Sequence, residues 1–416
     1  MTDKFQGHTK VDINRLVLTS LTSRRSIDIS SVVTQIEIYG SIFEPTICGS
    51  LGIYDGSGDI QNLPVIGEEL LEIEFQSPGR KPFTKLMHVY FPDEMGFDPN
   101  GTHIQMMLHF VSVDDFQGKL ANVNRGYKQN ISNIVKGVLT DFTGTTRPLE
   151  VEDTKGIEHI LIPGWDAWKT IEFLRGRAVS QKYNSPYLFF EDQTGYNFMS
   201  YEHLIEKREK MAEELIFTAE SYLPEAGEMV VGKSTVLQRQ YRNVDQLSVE
   251  TKSNTMKLVQ AGGASSRTMV FDVLDKTVKN IDVNYKDAKS IIKKPLGKNF
   301  NPSHTSDIFK VQRPTKIYLI PLDSTNPHAT ADQFGAKNMY AAILAETKIG
   351  FTTPGDSQLQ PGDVFYFSAP SRVNSKEPDK QISGNYIIAN LRHGINGSQM
   401  FTTIEAYKCG FEEKIL

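Results

Sequence analysis

The sequence predicts a strand-rich α+β protein: two similar antiparallel β-barrel domains with a mixed α/β region between them. Three observations carry that reading. From Gln35 to Phe75 apolar residues recur with period two, in Ile36 and Ile38, then Ile47, Leu51 and Ile53, then Leu71, Ile73 and Phe75. A stretch with the same grammar closes the chain. Between them, from Asn130, the apolar period lengthens to that of a helix. Period two places one set of side chains on one face of a half-buried strand, whereas steps of three and four line one face of a helix.

Taken in order, residues 1–30 read as an extended arm and a first strand around Leu16 and Leu18, with a polar turn at 19–26. The next three strands are separated by turn signals: Pro45, the Asp55-Gly56-Ser57-Gly58 cluster, and Pro64 followed by Gly67. Leu86–Phe91 and His103–Val113 add further strands, so the first barrel is assigned to residues 1–115. Residues 116–225 form an α+β domain. Its first helix carries Ile131, Ile134, Val135, Val138, Leu139 and Phe142 on one face, with Asn130 placed to cap it and Gly144 to end it. A second helix follows Pro163-Gly164 with Trp168, Ile171, Leu174 and Ala178 inward, and Trp165 at its start. Tyr187–Glu191 and Tyr196–Met199 then read as a hairpin, and the charge-rich stretch 202–214 as a solvated helix.

Residues 226–334 are a mixed region expected to pack with the α+β domain, with strands at Thr268–Leu274 and Lys316–Ile320. Residues 335–416 make the second barrel. There Pro361-Gly362-Asp363 turns the chain into Val364–Phe367, and Tyr386–Leu391 and Met400–Tyr407 follow. Gly362-Asp363 before an apolar strand matches Gly67-Glu68 before Leu71-Glu72-Ile73. Both glycines are therefore expected where φ is positive and a side chain is costly.

Composition bounds the function. A chain of 416 residues holds more than one core. Its 39% apolar and 23% charged residues are ordinary for a globular protein. A net charge of -5 without a Lys/Arg cluster argues against nucleic-acid binding as the main task. Two cysteines, Cys48 and Cys409, exclude a disulfide framework and read as buried free thiols. The first twenty residues, with Asp3, Lys4, Lys10, Asp12 and Arg15, have no signal-peptide core, and no run is long enough for a membrane helix. The expectation is a protein made in a cytoplasm, with no membrane insertion.

Candidate chemistry is sparse. Gly227–Ser234 has two glycines with four residues between, then Lys233 and Ser234, the spacing of a phosphate-binding loop. Such a loop follows a buried parallel strand, and Tyr222-Leu223-Pro224-Glu225-Ala226 is not one. His103 and His109 share a strand face, but no further ligand cluster accompanies them. Asp114-Asp115 and Glu213-Glu214 are adjacent in sequence, point apart, and read as solvated charge. No Gly-x-Ser-x-Gly elbow is present. The expectation is no catalytic residue, no metal ligand and no cofactor.

Several segments resemble a known family. They are Ile42-Phe43-Glu44-Pro45 through Gly49, Leu51, Ile53 and Asp55; Pro64 through Glu68; Ser185 through Glu191 with Gly195-Tyr196; and Arg267 with Phe271-Asp272. Leu359 through Asp363, Ser383 through Ile388, His393 and Thr402–Tyr407 match best. In order and spacing they resemble the central baseplate hub of T-even-type contractile-tailed bacteriophages, which is related to the first part of type VI secretion spike proteins. The resemblance implies a non-enzymatic homotrimer whose paired barrels form a pseudo-sixfold ring. It implies as partners a central spike, tail-tube or tube-initiator proteins, baseplate wedge proteins, and a tape-measure protein in the channel. It implies residence in the virion after assembly in the host cytoplasm. With nothing after Leu416 to form a spike or a cell-wall-cleaving domain, such an activity would belong to a partner. A nucleotide-binding or cell-wall-degrading tail enzyme is the alternative; a fibre protein would need glycine-rich repeats that are not seen. A channel for DNA would lack a basic lining, with Glu68, Glu69, Glu72 and Glu74 as candidates to face it.

Overall fold

The computed structural model describes residues 9–56, 58, 60, 63, 65–97, 104–209, 215–219, 243–251, 265–272, 276–284, 316–321, 335–337, 340–341, 347–371, 378–379 and 382–409. The first unit holds β1 (Asp12–Thr19), β2 (Ser26–Asp28), β3 (Val33–Ser41), β4 (Cys48–Asp55), β5 (Leu70–Gln76), β6 (Phe83–Phe97) and β7 (Ile104–Ser112). The α+β part follows with α1 (Val113–Leu120), β8 (Val123–Gln129), α2 (Ile131–Val138), β9 (Leu149–Val151), β10 (Glu158–Trp165), α3 (Ala167–Arg177), β11 (Tyr187–Glu191), β12 (Tyr196–Ser200) and α4 (Tyr201–Arg208). Then come β13 (Ile216–Ala219), β14 (Asn243–Thr251), β15 (Ser265–Asp272), β16 (Thr277–Asn284), β17 (Lys316–Pro321), β18 (Thr347–Pro354), β19 (Val364–Ser368), β20 (Gly384–Asn396) and β21 (Gln399–Lys408).

The expected class is the observed one: strand-rich α+β, with large antiparallel sheets. The two β units also share one pairing plan. In the first, the order is β1-β5-β6-β7-β4-β3; in the second, β13-β19-β20-β21-β18-β14. The correspondence holds residue by residue. Leu70 faces His88, and the Val89 N–H donates to the Glu69 carbonyl at 2.8 Å; Val364 faces Ile387, and the Ile388 N–H donates to the Asp363 carbonyl at 2.9 Å. One residue on, each long strand has a bulge, between Val89 and Phe91 in β6 and between Ile388 and Asn390 in β20. Past it Phe91 faces His109 and Asn390 faces Glu405. Leu51 faces Leu108 as Phe351 faces Ile404. Bulges interrupt a ladder at specific places, so a shared bulge position marks a repeated unit more strongly than shared turn residues do. The match ends at Asp93, where β6 carries a second bulge that β20 lacks.

The units differ at their margins. β1 runs antiparallel to β5, whereas β13 runs parallel to β19 and to β14. The second unit's pairings thus pass through six strands and return to their start, since β19 also pairs with β20. In the first unit the hairpin of β20 and β21 spans the gap between β3 and the start of β1. Asn390–Asn396 pairs with Gln35–Ser41, and Val11 and Met400 donate their N–H groups to the Ser398 and Thr9 carbonyls at 3.0 and 2.6 Å. Thirteen described strands are therefore one sheet, and one hairpin belongs to both cores. Ile395 and Met400 pack in the first, with Leu51, Phe75 and Phe110; Tyr386, Ile388 and Ile404 pack in the second, with Phe217, Phe351 and Phe365.

The turn expectation holds at both glycines. Gly67 has φ +92° and Gly362 φ +84°. A Cβ at Gly67 would lie 2.8 Å from the Tyr90 carbonyl oxygen; one at Gly362 would lie 3.0 Å from the Phe190 ring. Gly67→Val and Gly362→Val should each lower stability by about 1–3 kcal/mol. Urea unfolding of both variants checks this, and wild-type midpoints would refute the turn assignment.

The α+β part packs α2 and α3 on the β11–β12 hairpin, with Ile134, Val138, Ile171, Leu174, Phe189 and Phe198 in the core. Gly144 ends α2 at φ +65° after a π-helical turn, Leu139–Thr143. Asn130 differs from expectation. Its backbone carbonyl takes the first helical N–H bonds, but its side chain makes no cap bond. α3 is capped by Asp166, which accepts the Lys169 N–H at 2.8 Å.

Two surface expectations are corrected. Asp114 and Asp115 are buried, because α1 begins in the seam between the first unit and the α+β core. They do point apart. Asp114 accepts from Thr145, Arg147 and the Tyr196 hydroxyl, and Asp115 from Thr46 and Lys119. The helix expected to be solvated at 202–214 is α4, and it buries Tyr201, Glu202, Leu204, Ile205 and Arg208. Tyr201, Leu204 and Ile205 stand at i, i+3 and i+4, an apolar face that the surrounding charge obscured.

Candidate functional site at the junction of the units

Every residue of β11 and β12 is buried. One face of β11, with Tyr187 and Phe189, packs on the α+β core; the other, with Leu188 and Phe190, packs on α4 and the second unit. A strand covered on both faces reads as a continuous apolar run. Tyr187-Leu188-Phe189-Phe190 is such a run, and it ends in Glu191 and Asp192. A carboxylate carried inside this way must be paired and hydrogen-bonded.

Glu191 meets that requirement with groups from the first unit and from the α+β part. Its oxygens accept from Lys85 Nζ of β6 at 2.8 Å, Arg147 Nη1 at 2.5 Å, Ser112 Oγ at 3.1 Å and the Ile47 N–H at 2.9 Å. Lys85 also donates to the Asp192 carbonyl at 2.7 Å. Burial pulls the Lys85 ammonium below its ordinary range, and Glu191 opposes that pull. Arg147 lies over the Tyr196 ring, 5.1 Å from its centre.

Asp192 makes the next link. It opens the tight turn into β12, accepting from the Thr194 and Gly195 N–H groups at 2.8 and 3.0 Å. Gly195 is required by close approach: a Cβ there would lie 2.1 Å from the Pro148 carbonyl oxygen. The other Asp192 oxygen accepts from Asn197 at 2.9 Å and Arg208 Nη2 at 3.0 Å. Burial raises the Asp192 carboxyl, but these bonds and the Arg208 charge outweigh it and hold it below its ordinary value.

Arg208, at the end of α4, reaches on into the second unit. Its Nη1 donates to the Pro361 carbonyl at 3.1 Å and to Asp363 Oδ1 at 3.0 Å. Asp363 also accepts the Gln360 N–H at 3.1 Å, and burial pushes its carboxyl up to about 7 against the pull of Arg208. The Glu69 turn of the first unit repeats the motif: its carboxylate accepts the Ile66 and Gly67 N–H groups at 2.9 and 3.0 Å. Glu69 is therefore buried and is removed from the candidates for a channel lining. Arg80 to Asp356 at 3.1 Å adds a direct ion pair between the two units.

The result is a chain of alternating charge, Lys85–Glu191–Arg147 and Asp192–Arg208–Asp363, holding both β units to the α+β part. Its carboxylates are occupied by fixed donors, so the arrangement suits orientation rather than chemistry. Among the described residues no group of three His, Cys, Asp or Glu side chains could hold a metal. His109 lies 3.7 Å from Asp93 and stacks on Phe91. His103, Glu213-Glu214 and Gly227–Ser234 with Lys233 lie outside the described residues. Cys48 and Cys409 are free; Cys409 is buried as expected, but Cys48 is exposed.

No sequence motif marks this junction as a site. One signal could have found it: a charged pair closing an all-apolar strand. Arg208 ties Leu359–Asp363 to Asp192, the residue that follows Ser185–Glu191, so two segments that carry the family resemblance come together here.

No family model matches the chain. A protein described as "Probable baseplate hub protein" from Vibrio phage KVP40 is 21% identical over 405 residues, covering 91% of this chain and 90% of the relative. The chain is similar to a phage baseplate hub protein. The fold agrees with that likeness. A tail protein from Neisseria meningitidis has a TM-score of 0.57 at 9% identity, covering 97% of this chain and 98% of that one. The 43 kDa tail protein of prophage MuSo2 from Shewanella oneidensis has a TM-score of 0.54 at 10% identity, covering 95% and 98%. The relatives are thus one baseplate hub protein, by sequence, and two tail proteins, by fold.

Proposed function

We propose that the chain is the structural hub of a contractile phage tail baseplate, a trimeric adapter between a threefold central spike and a sixfold tail tube. The observation that carries this reading is the repeated pairing plan of the two β units. Three copies would present six near-equivalent units under closed symmetry, which is what a threefold-to-sixfold adapter needs. The buried ionic chain fixes the two units of one copy at a set angle, and no catalytic step belongs to this role. The spike, tube or tube-initiator, wedge and tape-measure proteins are its partners within the virion baseplate. The hub assembles in the host cytoplasm. The four-part division of the chain at residues 115, 225 and 334 belongs to the same reading, except that β13 and β14, which precede residue 335, are strands of the second unit.

Mass in solution tests it. The hub should have three times the 46.8 kDa of one chain and should turn over no ATP. A monomer stabilised by nucleotide would favour the enzyme alternative and return attention to Lys233. The channel reading adds a second outcome. Glu68 is exposed, and Glu72 and Glu74 stand on the solvent side of β5 beside Arg15 and Asn14. At low salt the protein should not hold linear duplex DNA at micromolar strength, since phosphate neutralisation supplies most non-specific affinity. Tight binding that weakens steeply with salt would contradict it.

A further inference from the structure

The two β units hold an equivalent surface, buried in the second and exposed in the first. The pairing plan equates His88 and Tyr90 of β6 with Ile387 and Ala389 of β20. His88 faces Leu70 as Ile387 faces Val364, and Tyr90 and Ala389 are the bulge residues. In the second unit the chain itself seals this surface. Ile387 and Ala389 are 0% exposed and pack in one cluster with Tyr201, Leu204 and Ile205 of α4 and Phe190 of β11. In the first unit Leu86, Tyr90 and Phe91 are 46%, 49% and 49% exposed. Two features border them. The Phe116 ring of α1 stacks on His88 with centres 4.6 Å apart, and a Cβ at Gly67 would lie 2.8 Å from the Tyr90 carbonyl oxygen. Phe116 and Ile66, on these two borders, are exposed as well. An apolar surface of this kind marks an interaction site.

We propose that this surface of the first unit seats a helix of a partner protein, docked as α4 docks on the second unit. The chemistry of the partner helix follows from α4. Tyr201, Leu204, Ile205 and Arg208 stand at i, i+3, i+4 and i+7, three apolar anchors and one cation on a single face. In the second unit the cation meets the turn that opens β19. Arg208 donates there to Asp363, which also accepts the N–H of Gln360, three residues before it. The turn that opens β5 has the same design: Glu69 accepts the N–H of Ile66, three residues before it, and Glu68 beside it is exposed. An Arg or Lys in the last turn of the partner helix would therefore meet carboxylate charge, and the helix C-terminus favours a cation at that place. Tyr90 and Phe91 suit the centre of such an interface, because aromatic anchors give a large contact area. Both are held in place by His109, whose ring centre lies 6.4 and 6.0 Å from theirs. Docking of this kind goes beyond the hub reading and needs no trimer.

A model helix tests the site. The probe is a lactam-constrained, fluorescein-labelled peptide with Tyr, Leu, Ile and Arg at i, i+3, i+4 and i+7 on an Ala/Gln background. Titrated with the full chain, it should bind saturably at micromolar strength by fluorescence anisotropy. Tyr90→Ser and Phe91→Ser change exposed side chains, so their urea midpoints should stay near wild type while each weakens binding about tenfold or more. Glu68→Lys should weaken it about threefold, and less at high salt, as a surface ion pair does. Leu161→Ser, on the exposed side of β10, should leave binding unchanged. No saturable binding, or equal binding by the Tyr90 and Leu161 variants, would overturn the proposal. Photo-cross-linking identifies the occupant. With Phe91 replaced by p-benzoylphenylalanine, irradiation of the full chain with the peptide should give a one-to-one adduct. A covalent dimer of the chain would put a second copy on this surface; that result, or no adduct, would overturn the partner helix. Neither result bears on the mass of the assembly, which tests the hub reading by itself.

Discussion

Glu191→Gln should destabilise the protein by about 3–5 kcal/mol, the range for removing one charge from a buried ionic group. The substitution keeps the shape of the side chain. It removes the negative charge that Lys85 and Arg147 share and sets an amide hydrogen where one of the four donors now points. Lys85, already depressed by burial, would lose the group that holds its proton. The exposed pair Lys182–Glu206, at 2.9 Å, provides the contrast. Lys182→Ala should cost no more than about 1 kcal/mol, because water and salt screen such pairs. Urea unfolding of both variants reads the difference. Equal, small effects would mean that the junction contributes no more than a surface contact.

Acid should weaken the protein through His393. This residue lies on β20 where the two units meet, fully buried, with the Phe75 and Phe83 rings set edge-on to it. Its Nε2 is 3.2 Å from the Leu359 carbonyl and its Nδ1 is 3.0 Å from Thr402 Oγ1. A carbonyl only accepts, so Nε2 carries the proton and Nδ1 takes the hydroxyl hydrogen. Burial pulls the imidazole down to about 4, with the Leu359 bond opposing. The sign follows from linkage. Between the unfolded value near 6.5 and about 4, the unfolded chain binds a proton that the folded chain refuses. The stability this site contributes is complete above pH 6.5 and falls through that window, by about 3 kcal/mol in all. Asp363, raised by burial, works the other way between its ordinary value and about 7. The comparison is therefore between wild type and His393→Gln across pH 4–7. The variant should lose the histidine part of the acid slope; parallel curves would contradict the assignment.

The β units were legible because burial on one face imposes period two, and because turns that need positive φ place Gly67 and Gly362 before acidic residues. The shared register was not legible. It resides in bulges at Tyr90 and Ala389, and a bulge leaves no mark in hydropathy. The ionic junction escaped for a related reason. Lys85, Arg147, Glu191, Arg208 and Asp363 are far apart in sequence, and each alone resembles a surface charge. Asp114 and Asp115 read as surface charge on the same ground: only the seam in which α1 sits makes them interior. The apolar face of α4 is three residues in a charged segment, too few to outweigh the glutamates beside them.

The central claim is that one chain supplies two like units to a ring of six. End-on electron-microscope averages of the purified assembly test it most directly. The account predicts a closed ring with six similar lobes at low resolution, resolving into strict threefold symmetry as detail increases. A ring of three alternating, plainly unlike pairs of lobes, or no ring, would contradict it.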